Sequence, residues 1–228
     1  MYRLILVALA LTGCSMQSGK PIADNDHNLL DRVAVVSTLG DNLYCSFVGL
    51  TVFNNKSNTY ELGADFNQNL SSRISEKLNS RGMDVTPLSR DVISFIDDDI
   101  GARDWSNIKF EGFPAIASDV SSIVILDGEH RYNSTGGYYA RNNALNTLAT
   151  LYVYEVSTGR LIGEAFSRHS TLKRSFSCTQ ESISDSDEML ELIDESGAAT
   201  LEEAFGTLFM AQDGRRASLQ AAADMQEE

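Results

Sequence analysis

Residues 62–88 read LGADFNQNLSSRISEKLNSRGMDVTPL, and the spacing of their apolar residues sets the fold class. Leu62, Phe66, Leu70, Ile74 and Leu78 recur at every fourth position, which lines them along one face of a helix and leaves a polar back. Gly82 follows as a C-terminal cap, and Met83–Pro87 returns as a strand. Upstream, residues 32–37 read RVAVVS, a short unbroken apolar run of the kind found in strands buried on both faces. Strand, helix, strand is the order of an α/β layer.

The same reading extends outward. LYCSFVGLTVF (43–53) is a second β-rich run with a bend expected at Gly49. SIVIL (122–126) is another buried strand, and residues 148–154 and 161–169 flank the turn Ser157-Thr158-Gly159-Arg160. Their alternation predicts an antiparallel hairpin with one wet face at the edge of the sheet. Residues 89–120 are mixed, with a short helical stretch through Val92, Ile93 and Ile96, an acidic loop, and Trp105. Residues 182–211 predict helix in two pieces broken at Gly197, with Leu201, Ala204, Phe205, Leu208 and Phe209 on one face. The expected class is α/β, a mixed sheet with an antiparallel edge hairpin and packed helices. One domain over 32–213 and a flexible tail over 214–228 complete the expected organisation.

The N-terminus carries Arg3, then an apolar run from Leu4 to Leu11. That run is about half of the roughly twenty residues a membrane-spanning helix needs, and it fits the apolar core of a secretory signal. Its ending, Leu11-Thr12-Gly13-Cys14, resembles the bacterial lipobox. The resemblance implies a signal peptide over 1–13 and lipidation of Cys14, whose thiol takes the diacylglyceryl group. Ser15 stands where the inner-membrane retention signal of such proteins has Asp, so the resemblance implies the outer membrane, with the protein on its periplasmic face. Residues 14–31 are polar and without sustained periodicity. They are expected to form a lipidated tether, which fully extended would reach roughly 50 Å.

The chain has a formal net charge of −14 and is 43% hydrophobic and 22% charged, an ordinary globular composition. Such acidity excludes nucleic acid as an expected partner, since no basic patch is present to displace phosphate counterions. It also leaves membrane attachment to the covalent lipid rather than to overall charge. With Cys14 assigned to lipid, Cys45 and Cys178 remain. In an oxidising compartment such a pair is expected to form a disulfide, the other arrangement being two buried thiols.

Catalytic and metal motifs fail on inspection. Gly40-Asp41 resembles the start of the Gly-Asp-Ser-Leu esterase block, but Asn42 occupies the nucleophile position, and an amide cannot form the acyl intermediate. Asp65, Asn67, Asn69 and Glu76 mimic calcium-loop positions, yet Leu70 stands where that loop needs glycine. Asp97, Asp98, Asp99 and Asp104 read as a solvated acidic loop, and His27, His130 and His169 have no zinc-ligand spacing. No metal, no cofactor and no enzymatic activity are expected. The best surface candidate is residues 129–143, where Arg131, Tyr132, Tyr138, Tyr139 and Arg141 lie among glycines and asparagines. That mixture suits binding of a sugar or a peptide chain on a loop or hairpin tip.

Taken in order, RVAVVS, LGADFNQNLSSRISEKLNSRGMDVTPL, SSIVILDGEH and LYVYEVSTGRLIGEAF resemble envelope lipoproteins whose α/β domain is like the amino-terminal domain of TolB. That group includes curli-secretion lipoproteins, penicillin-binding-protein activators and flagellar-assembly lipoproteins. The resemblance implies a non-enzymatic assembly or accessory factor whose partners are envelope proteins, and it leaves oligomerisation open. The segment LYCSFVGLTVFNN (43–55) departs from the group. Two other readings stand beside it: a peptidoglycan- or glycan-binding module using the tyrosine-rich loop, and a hydrolase of unrecognised type.

Overall fold

The computed structural model describes residues 16–37, 42–49, 55–62, 65–88, 119–136, 141–172 and 187–210. Eight strands form one open mixed sheet: β1 (Met16–Lys20), β2 (Arg32–Ser37), β3 (Asn42–Val48), β4 (Lys56–Glu61), β5 (Asp84–Pro87), β6 (Ser122–Gly136), β7 (Arg141–Glu155) and β8 (Leu161–Leu172). Among the described residues, a 3₁₀ helix (Asp24–Leu30) and two α-helices, α1 (Asp65–Ser80) and α2 (Asp187–Leu208), accompany them. The strand order is β1-β8-β7-β6-β2-β5, and β3, which carries β4, also pairs with β6.

The spine is β6, paired antiparallel with β7 from Ser122↔Glu155 to Gly136↔Arg141. The other edge of β6 is shared lengthwise by two strands, both parallel to it: β2 beside Ser122–Leu126 and β3 beside His130–Thr135. Between Ser37↔Leu126 and Leu43↔His130, the chain running from β2 to β3 advances six positions while β6 advances four. An excess of two preserves parity, because successive side chains in a strand alternate faces. Val33 and Val35 therefore share the inner face with Leu43 and Cys45, and all four are buried. The end of the sheet near Ser122 and the Ser157 turn is hereafter the lower end, and that near Gly136 and Val48 the upper end.

Both helices cover the inner face. In α1 the stripe Leu70, Ile74 and Leu78 is 0–1% exposed and packs with Val33, Val35, Val124 and Leu126. Gly82 takes φ 89°, and the Met83 amide donates to the Leu78 carbonyl at 3.2 Å, closing the helix as a left-handed glycine cap does. The lower half of the outer face is also buried: Ala34, Val36, Ile123, Ile125 and Tyr154 are each at most 1% exposed. The continuous apolar runs of β2 and β6 are thus explained, since Val33–Ser37 and Ser122–Leu126 are buried at every position on both faces.

Three expectations are corrected. The segment 14–31 is not a tether beyond its first residues, because Met16–Lys20 is a strand on the edge of β8. Ile22 and Leu30 behind it are core residues at 1% and 2% exposure. The Ile22 amide donates to the Leu208 carbonyl at 3.0 Å, and Asp26 receives both terminal nitrogens of Arg160, at 2.7 and 3.1 Å. Those bonds hold the Asp26 carboxyl below its ordinary range. Ser18, Gly19 and Lys20 are all exposed, so no buried face imposes alternation on MQSGK. The β7–β8 hairpin accordingly has β1 as one more strand beyond it.

Second, α2 is one helix that runs through Gly197. A Cβ at Gly197 would lie 3.1 Å from Leu70 Cδ2 and 3.8 Å from His130 Cε1, so the glycine admits α1 and the sheet against the helix rather than breaking it. Third, Glu129–Gly136 and Arg141–Asn143 are strand, not loop. The readings at residues 89–118 and 214–228 lie outside the described residues.

Candidate functional site

The upper half of β6, β7 and β8 carries polar side chains on both faces, and the two faces differ in kind. On the inner face, His130, Thr147 and His169 fall side by side in register. His130 Nδ1 is 3.0 Å from Thr147 Oγ1, Ser196 of α2 donates to that same oxygen at 2.8 Å, and Thr200 donates to the Ser196 carbonyl at 2.7 Å. One strand along, Ser167 donates to Glu203 at 2.6 Å. His130 is 1% exposed, and burial lowers its pKa from 6.5 to about 4, so the ring is neutral at ordinary pH. Its hydroxyl neighbours are sealed as deeply, and the cluster joins α2 to the sheet rather than facing solvent.

The outer face of the same strands is open. Tyr44 and Ser46 of β3, Glu129, Arg131 and Asn133 of β6, Asn146 of β7, and Arg168 and Ser170 of β8 share it by strand alternation. Arg131 is half-exposed, lies with its guanidinium 5.5 Å from the centre of the Tyr44 ring, and pairs with Glu129 at 2.6 Å. Asn146 Oδ1 receives Arg168 at 2.8 Å and also the Ser170 hydroxyl. Ser46 donates to Asn133 at 2.6 Å. The result is a shallow surface of two guanidiniums, an aromatic ring and the Asn133 amide, with Asn146 buried at 3% beneath Arg168 and Ser170. Chemically it can recognise carboxylates or hydroxyl-rich chains, since guanidinium groups bind planar anions and rings bind flat or aliphatic surfaces.

Of the predicted site residues, Arg131 is on this surface. Tyr132 is not: it is 1% exposed on the inner face, packed with Leu43, Cys45, Leu145, Met189 and Ile193. Adjacent positions in a strand point oppositely, so Arg131 and Tyr132 cannot serve one surface. Tyr138 and Tyr139 lie outside the described residues, as does the Arg141 side chain, although its backbone pairs with Gly136. Cys45 is buried at 4% and stands in register with Tyr132; Cys14 and Cys178 lie outside the described residues. Tyr44 and Arg168 were missed, and the signal that could have found them is strand alternation continuing through LYCSFV and AFSRHST.

The groove between α1 and α2 is lined by Arg73, Lys77, Leu201 and Glu202 and is bridged by ion pairs, Arg73–Asp194 at 2.5 Å and Lys77–Glu202. Among the described residues no cluster of three His, Cys, Asp or Glu could hold a metal, and no helix is long and apolar enough to cross a membrane.

The sequence matches no protein-family model and no curated protein. Solved structures resemble it in fold. The PelC dodecamer from Paraburkholderia phytofirmans is 15% identical over 85% of this chain and 97% of its own, with a TM-score of 0.37. Protein XCC0632 from Xanthomonas campestris is 10% identical over 81% and 88%, at 0.42. Lipoprotein GNA1162 from Neisseria meningitidis is 10% identical over 75% and 97%, at 0.31. Likenesses at this level carry no argument about what the chain does.

Proposed function

We propose that this chain is an outer-membrane-anchored periplasmic lipoprotein that acts without catalysis, as an assembly or accessory factor for an envelope protein complex of flagellar, secretion or cell-wall type. The observation that carries this reading is the run Leu4–Leu11 closing in Leu11-Thr12-Gly13-Cys14, since two or three acyl chains on one cysteine suffice for stable anchoring. The outer-face surface of Tyr44, Arg131 and Arg168 is the partner contact, while the polar groups of the inner face are buried away from any substrate. Within the same reading Cys45 and Cys178 form the one disulfide of the mature chain, which intact mass with and without reductant reads directly.

The test has two arms. Intact mass of the protein purified from membranes should show a chain starting at an acylated Cys14, and Cys14→Ala should leave the protein out of the outer-membrane fraction. A photo-crosslinker placed at Arg131 should capture one specific envelope protein, and Tyr44→Ala with Arg168→Glu should abolish the adduct while thermal unfolding is unchanged. An unacylated chain, or a chain that crosslinks to nothing specific, sinks the proposal. The exposed Arg131–Tyr44 pair also favours a second reading, binding of a glycan chain. Retention on purified peptidoglycan, lost in Arg131→Ala, would select it.

A further inference from the structure

Cys14 precedes Met16, the first residue of β1, by two positions, so the anchoring atom lies within about 7 Å of the sheet edge along an extended chain. Met16 pairs with Arg168, which is level with Leu148 and Glu129. β1 runs downward from Met16↔Arg168 to Lys20↔Glu164, so the chain preceding it is directed toward the upper end. The level of Met16 is seven residues from Glu155 and six from Asn142, which is level with Val48. Two extended residues in the upward direction leave the anchor roughly 14 Å from the level of Val48 and roughly 31 Å from that of Glu155, which favours the upper end as the one beside the bilayer.

The upper end has the opposite chemistry to the rest of the molecule. The strand segments beyond the level of Met16, residues 43–48, 56–60, 130–136, 141–147 and 169–172, contain Lys56, Arg131 and Arg141 and no Asp or Glu, in a chain whose net charge is −14. The carboxylates of that end, Asp187, Glu188 and Glu191, belong to the start of α2 over the inner face. At the tip of β3, Phe47 and Val48 are 37% and 47% exposed, two of the three large exposed hydrophobics among the described residues. Lys56 is in register with Phe47.

Resting on the anchoring of Cys14 proposed above, we infer that the upper end of the sheet is a lipid-contacting surface, with Phe47 and Val48 seated in the headgroup region and Lys56 beside them at the phosphates. Three features converge on one occupant, a phospholipid bilayer: the upward direction of the anchored end of β1, an apolar pair standing in water, and strand ends stripped of negative charge. The inference changes the expected geometry. The domain does not swing on a long tether but stands on its sheet, presenting the lower end and the outer face to the periplasm.

The test uses the full-length, membrane-purified protein with Trp105→Phe as background, reconstituted in vesicles of phosphatidylethanolamine and phosphatidylglycerol with brominated acyl chains. Intact mass first establishes that Cys14 is acylated, which reads the anchor by itself. Tryptophan is then introduced at Phe47→Trp or, at the lower end, at Ser157→Trp, both exposed positions at which circular dichroism confirms folding. Emission from position 47 should fall about twofold relative to unbrominated vesicles, as for a side chain seated ~5–10 Å into the interface, and emission from position 157 should not change. An acylated protein whose residue 47 is not quenched, or whose residue 157 is quenched equally, overturns the orientation while leaving the anchor intact.

Discussion

The two halves of β6 show what the same strand does in two surroundings. The lower half, Ser122–Leu126, lies between β2 and β7, and its residues are at most 2% exposed. Its stability is apolar burial on both faces. The upper half, from Glu129 onward, lies between β3 and β7 and alternates buried His130 and Tyr132 with exposed or half-buried Glu129, Arg131 and Asn133. The lower half holds the fold together, and the upper half carries one sealed polar junction and one open polar surface. Pairing along the whole length of β7 makes both halves strand, because the backbone ladder is satisfied regardless of which side chains it carries.

Substitutions should break this comparison in graded fashion. Leu126→Ala, in the lower half and 0% exposed, should cost about 2–5 kcal/mol, the range for truncating a fully buried leucine, read from the urea midpoint at constant slope.

The upper half should respond to pH through His130. His130 titrates at about 4 when folded against an ordinary 6.5, so the unfolded chain binds the proton more readily. Its contribution is fully present above pH 6.5 and is lost as pH falls toward 4, amounting to on the order of 3 kcal/mol across that window. Urea midpoints of the wild type and His130→Gln between pH 4 and 7 should diverge in slope, since both share the carboxylates and His169. Parallel slopes would mean that the ring is not held neutral by burial.

At the junction between the halves, Gly197→Leu forces a side chain against Leu70 and His130 and should cost about 1–3 kcal/mol by overpacking. Gly197→Ala should be smaller in either direction, because about 1 kcal/mol of helix propensity offsets the tight 3.1 Å contact with Leu70. The smallest effect belongs to the open face. Arg131→Ala should move stability by less than about 0.5 kcal/mol, as exposed ion pairs do, while removing the proposed partner contact. A large loss of stability there would show that Arg131 is structural.

Local patterns were legible wherever a residue's role depended on its neighbours in sequence. The stripe Leu70, Ile74, Leu78, the cap at Gly82 and the turn at Gly159, whose φ is 69° and whose amide donates to Glu155 at 2.9 Å, were readable because helix period and positive φ are short-range properties. The double-sided burial of RVAVVS was readable because no polar residue interrupts it. Residues 129–136 and 141–143 looked like loop because asparagine, glycine and serine are poor strand formers by composition. Here they are strand because β6 and β7 pair residue for residue. Residues 16–20 looked like tether for a related reason: their contribution to the sheet is made by backbone atoms, which every sequence carries alike.

The amino-acid sequence alone determined β2, β3, α1, β5, the lower parts of β6, β7 and β8, their order, and the acidic, cysteine-poor composition, because periodicity and charge are sums over nearby residues; it carried no sign of β4. Only the tertiary structure decided that Arg131 faces solvent while Tyr132 faces the core, that Gly197 receives a neighbour instead of ending a helix, and that the chain enters the sheet two residues after Cys14. Each of those depends on which strand or helix lies opposite, and such long-range pairing leaves no local trace in the residues that undergo it.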